Sequence, residues 1–144
     1  MEQIEALHKS IQNSFGDVID EDVFIASITL FPAIIVAYTD GVIDEKEKEY
    51  IAFLADNYVF HSDDILEENK VFFSDILCSF LLSLTDQISL WKTEYIEALK
   101  YLLNLDNSLK SELLIILENI ARISNEVSET EQEKIDWLKI ELSI

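Results

Sequence analysis

Glycine occurs twice, proline once and cysteine once in this chain of 144 residues. Sheet proteins place turn residues about every eight to twelve positions, so this scarcity argues against strands and predicts long helices joined by short polar loops. The single cysteine, Cys78, rules out an intrachain disulfide and reads as a small hydrophobe among Ile76, Leu77 and Phe80. Basic residues are also scarce, with ten Lys and Arg against 29 Asp and Glu and a net charge of −19. Nucleic-acid binding rests on neutralising phosphates with cations, so no nucleic-acid partner is expected, and neither is docking to an anionic membrane. An acidic surface concentrates cations and suits protein partners with a basic surface, although solubility alone also accounts for it. The start of the chain lacks a basic stretch and an apolar signal core. The longest apolar runs, 23–38 and 71–84, are interrupted by Pro32 and Asp75 and are short for a bilayer. The expectation is a cytoplasmic protein without direct membrane insertion.

What is present is ordinary for a globular protein, with 49% hydrophobic and 27% charged residues. A chain of this length buries roughly two-thirds of its unfolded surface. Periodicity predicts helices over 2–14, 21–39, 45–58, 63–68, 71–87, 89 or 93 to 104, 109–123 and 129–143. The second is apolar almost all round and belongs at the centre of a bundle, although Pro32 removes one of its backbone donors. The fold expected is all-α, a single compact bundle of about seven or eight helices spanning 1–144.

Two turns stand out. Ala37-Tyr-Thr-Asp40-Gly41-Val-Ile43-Asp44-Glu45-Lys-Glu47 returns 84 residues later as Ala121-Arg-Ile-Ser124-Asn125-Glu-Val127-Ser128-Glu129-Thr-Glu131. Between 37–54 and 121–138, six of eighteen positions are identical, which points to a two-fold pseudo-repeat. Gly41 can take positive φ and close the incoming helix, and Asn125 is the next-best residue for that geometry. Asp44 and Ser128 are placed to cap the outgoing helices, with Glu47 and Glu131 completing capping boxes.

A cation site competes with capping alone. Asp40, Gly41, Ile43, Asp44 and Glu47 match the second half of a calcium-binding helix-loop-helix, but the two earlier ligand positions hold Val36 and Tyr38. A full loop of that kind is excluded. A partial site for calcium or a similar divalent cation, completed by Asp63, Asp64 or the second acidic helix, stays open.

These residues resemble the TerB-like family, the helical domains named after a tellurite-resistance protein. The resemblance rests on Ala37, Asp40, Gly41, Ile43 and Glu47, echoed by Ala121, Val127 and Glu131, and covers about 21–144, with 1–16 as a leading amphipathic helix. It implies a compact acidic bundle linked to divalent cations and to stress responses, tellurite among them. It also implies interaction modules, including one attached to a DnaJ-type co-chaperone. Under that resemblance Asp40, Asp44 and Glu47 become the candidate cation ligands, and Ser124 in place of an acid weakens any symmetric second site.

No catalytic arrangement emerges. Glu5 and His8 have the spacing of one half of a di-iron carboxylate site, but the second half is missing. No glycine-rich phosphate loop or nucleophile elbow is present. The acid pairs Asp63/Glu67, Asp64/Glu68, Glu45/Glu49 and Glu129/Glu133 read as solvated helix faces. The expectation is therefore a non-enzymatic domain that either binds a divalent cation in a stress response or recruits a basic protein partner. An acidic mimic of nucleic acid is a third and less natural reading.

Overall fold

The computed structural model describes residues 2–123 and 128–144. Among them every regular element is helical: α1 (Glu2–Phe15), α2 (Glu21–Ala37), α3 (Glu45–Phe60), α4 (Lys70–Ser83), α5 (Ile88–Leu105), α6 (Ser108–Ile123) and α7 (Glu129–Leu142). The all-α expectation holds. The count of seven or eight separate helices does not, because helical turns follow one another without a gap from 67 to 105, leaving six helical runs among the described residues. Two 3₁₀ segments explain the merger. Glu67–Asn69 leads directly into α4, and Leu84–Gln87 links α4 to α5. The polar residues Thr85, Asp86 and Gln87 end the apolar stripe but leave no gap between α4 and α5. At Gln87 the backbone departs from helical geometry (φ −140°, ψ 50°), so α4 and α5 meet at a corner. By length and composition alone the merged stretch is apolar enough to cross a bilayer.

The short acidic helix expected over 63–68 is also absent. Residues 63–65 form a turn, and only Glu67–Asn69 coil into a single 3₁₀ turn. Like charges at helical spacing, Asp63/Glu67 and Asp64/Glu68, would repel in a longer helix, and Leu66 is extended (φ −62°, ψ 138°).

The centre is α2, as its all-round apolar character requires. Every residue from Val23 to Ala37 except Ile25 is buried, and α2 packs against α3, α4, α5, α6 and α7. Asp20 starts it by accepting the Val23 N–H at 3.0 Å. Pro32 is accommodated inside the continuous helix. The buried Ser27 hydroxyl meets the Tyr95 hydroxyl of α5 at 3.0 Å, and Phe31 stacks on the Tyr95 ring with centroids 4.6 Å apart. The leading helix α1 contributes Ile4, Leu7 and Ile11 to the same core. This arrangement leaves the ends of α2 to position the turns that flank it.

Candidate cation site at the paired turns

The first turn begins where α2 ends, at Ala37 and two residues earlier than periodicity predicts. Tyr38 donates its N–H to Ile34 O, and the Thr39 hydroxyl donates to Ile35 O at 3.1 Å and Val36 O at 2.8 Å. Those bonds, rather than Gly41, satisfy the last carbonyls of the helix. Gly41 instead closes the next turn, with φ +85° and its N–H on Tyr38 O at 3.0 Å. Asp40 is exposed, and its Oδ1 accepts the Val42 N–H at 3.3 Å. Ile43 then drops into the core.

Asp44 and Glu47 form the full capping box. Asp44 Oδ1 accepts the Glu47 N–H at 2.8 Å, and Glu47 Oε1 accepts the Asp44 N–H at 3.0 Å. Glu47 is only 5% exposed. Burial pushes its carboxyl up to about 7 despite the Asp44 hydrogen bond, and the charges of Asp44, Glu131 and Asp40 push the same way.

The second turn is half of the same device. Ser128 Oγ accepts the Glu131 N–H at 3.1 Å and lies 3.2 Å from Glu131 Oε1, so Glu131 takes a hydroxyl where Glu47 takes a backbone N–H. The counterparts of Asp40, Gly41 and Ile43, namely Ser124, Asn125 and Val127, lie outside the described residues. The other oxygen of the Glu131 carboxylate, Oε2, is buried without a hydrogen-bond partner among the described residues. A buried carboxylate oxygen left in that state is costly, and a cation relieves it.

The fold therefore gathers Asp40, Asp44 and Glu47 on one turn and brings Glu131 from α7 close enough for its charge to act on Glu47. It does not bring Asp63 or Asp64 there. Both follow the far end of α3, a helix of 16 residues and about 24 Å. Among the described residues, no three His, Cys, Asp or Glu side chains are grouped closely enough to hold an ion as they stand.

Other residues singled out by spacing find structural partners. The His8 ring stacks on Phe24 at 4.6 Å, and its Nε2 donates to Ile19 O at 2.8 Å, so it does not face Glu5 as a ligand pair would. The acid pairs at helical spacing are all exposed. Burial pushes the Cys78 thiol up, with Asp56 and Asp75 adding to it, so thiolate is scarce at neutral pH. Sequence reasoning missed Lys70, buried at the end of α3, and a pair of lysines over one indole. The ammonium groups of Lys92 and Lys134 lie 4.5 and 5.6 Å from the Trp137 ring centroid. Contact with Lys134, together with burial, lowers Lys92 to about 8. Neither feature follows from one helix alone, because Lys70 reaches the Phe60 carbonyl of α3 and Lys92 of α5 joins Lys134 and Trp137 of α7.

No protein-family model, curated protein or solved structure matches the chain.

Proposed function

We propose that this chain is a non-enzymatic, TerB-like acidic helical domain in which the two turns form a cation-linked junction, acting in a stress response of the tellurite type. The observation that carries the reading is the buried Glu47 within reach of the Glu131 charge, with the second Glu131 oxygen buried and unpartnered among the described residues. Two acids held together in a partly desolvated space favour whatever neutralises them. Asp40, Asp44 and Glu47 would hold the cation from α3 and the turn before it, and Glu131 from α7. Among the described residues, the exposed Asp40 carboxylate has the Val42 N–H to give up in joining them. All four donors are carboxylates, which suits a hard divalent ion such as calcium or magnesium.

Calorimetric and thermal-shift titration with calcium, magnesium, manganese and zinc tests this. An ion at a hundredfold excess over its dissociation constant adds about 2.7 kcal/mol of stability. Asp40→Asn and Glu131→Gln should each remove most of that gain. If no ion stabilises the chain beyond a matched increase in ionic strength, the cation reading fails.

A second reading is favoured by charge. With 29 acids against ten basic residues, the surface suits a basic protein partner, and the turns then serve only to fix the ends of α2, α3 and α7.

A further inference from the structure

The paired antiparallel helices α3 and α6 leave a groove of about 490 Å³ between them, floored by Thr29 and Leu30 of α2. Antiparallel pairing follows from two contacts: Tyr50 bonds Asn119 near one end, and Glu112 acts on Tyr58 at the other. The lips are Phe53 and Ile115, which are 59% and 58% exposed. Large apolar side chains left this exposed, facing each other across a groove, mark a contact surface more often than scattered surface residues do.

We propose that this groove docks an amphipathic helix of a partner protein, seating an apolar side chain between Phe53 and Ile115 and a Lys or Arg beside Tyr58. The inference rests on the second reading above, that the domain recruits a basic partner. Three features commit the occupant. From Tyr50 to His61 the groove runs along twelve residues, the last of them the C-cap of α3, a span of about 16 Å that matches three turns of a docked helix. Its α3 wall is aromatic, with Tyr50 and Phe53 stacked at 6.0 Å, and favours an apolar or cationic side chain. Its charge is one-sided: Glu112 lines it, Asp22 and Asp64 join Glu112 in acting on the Tyr58 hydroxyl, and among the described residues no Lys or Arg lines it. A second copy of the chain is a poor occupant, since two bodies of charge −19 repel.

The test measures fluorescence anisotropy of two labelled amphipathic peptides of about sixteen residues, one of leucine and lysine and one of leucine and glutamate, against the full chain. The lysine peptide should bind at least about tenfold more tightly than the glutamate peptide. Phe53→Ser and Ile115→Ser change exposed residues, and each should weaken the lysine peptide by about tenfold with thermal stability kept. Glu112→Gln should weaken it by roughly threefold. Phe72→Ser, on a separate apolar face beside Phe15 and Val18, should leave binding unchanged. Binding that survives Phe53→Ser and Ile115→Ser, or that falls with Phe72→Ser instead, overturns the groove and leaves the basic-partner reading standing. Failure of the lysine peptide to bind, or equal binding of the two peptides, overturns both.

Discussion

Asp44 and Glu47 exchange hydrogen bonds across the start of α3, each carboxylate accepting the other residue's backbone N–H, at 2.8 and 3.0 Å. The two acids nevertheless differ in kind, because Asp44 is exposed and Glu47 is buried. The capping box therefore draws one carboxylate into the apolar edge of the bundle, where its charge is disfavoured.

That burial sets a pH dependence. The Glu47 carboxyl rises from 4.5 to about 7 on folding, so between those values the folded chain holds a proton that the unfolded chain has lost. Stability falls as pH rises through this window, and the loss is complete above about 7. Allowing for solvent screening, it amounts to roughly 1–2 kcal/mol. Glu47→Gln keeps an oxygen for the Asp44 N–H but cannot ionise. Urea unfolding at pH 5 and pH 8, in metal-free buffer, should show the wild type weaker at pH 8, with most of the difference gone in the variant. An equal difference in both chains would place the titration elsewhere.

The two caps should differ in strength. Asp44 carries a charge at the positive end of α3 and takes part in a reciprocal box, so Asp44→Ala should cost about 1–2 kcal/mol. Ser128 accepts the Glu131 N–H with a neutral hydroxyl in an exposed setting, and Ser128→Ala should cost roughly 0.5–1 kcal/mol. Denaturant midpoints at neutral pH compare them directly. A larger loss at Ser128 would mean that the second turn depends on this hydroxyl for more than a cap.

Much of this was legible in the chain itself. The apolar residues of α2 recur on every face and place it at the centre, and Asp20, Asp44 and Ser128 each precede a helix at cap spacing and do cap it. The corner at Gln87 was not legible, because Thr85, Asp86 and Gln87 look alike whether they end a helix or bend it. Within the site, the roles of Asp44 and Glu47 follow from a spacing of three residues. The approach of Glu131 to Glu47 follows from how α7 packs against α2, which no local pattern encodes. The same holds for the groove, whose walls come from helices about sixty residues apart.

Lys70 offers a check on the junction between α3 and α4. It is 6% exposed, its Nζ donates to Phe60 O at 3.0 Å, and it pairs with Glu67 at the same distance. A cation on the last carbonyls of α3 complements the negative end of that helix. Lys70→Met keeps the buried stem and loses the charge, and should cost about 1–2 kcal/mol in urea unfolding. Glu67→Gln should cost well under 1 kcal/mol, because Glu67 is largely exposed. If the two variants lost the same amount, the ion pair rather than the carbonyl would be the stabilising contact.

If a divalent cation occupies the paired turns, it competes with the proton on Glu47, and this links affinity to pH in a defined direction. A cation needs the ionised carboxylate, and with that carboxyl at about 7 the ionised fraction falls by about tenfold between pH 8 and pH 6. Calorimetric affinity for the best-binding ion should weaken by that factor over the same range. The trend runs opposite to the stability of the metal-free chain, which rises toward acid over this window. Glu47→Gln removes the titrating group and should give weaker binding with little pH dependence. Asp40→Asn leaves Glu47 to titrate, so its weaker binding should keep the slope. Parallel slopes in the wild type and Glu47→Gln would place the cation on other carboxylates and separate the buried glutamate from it.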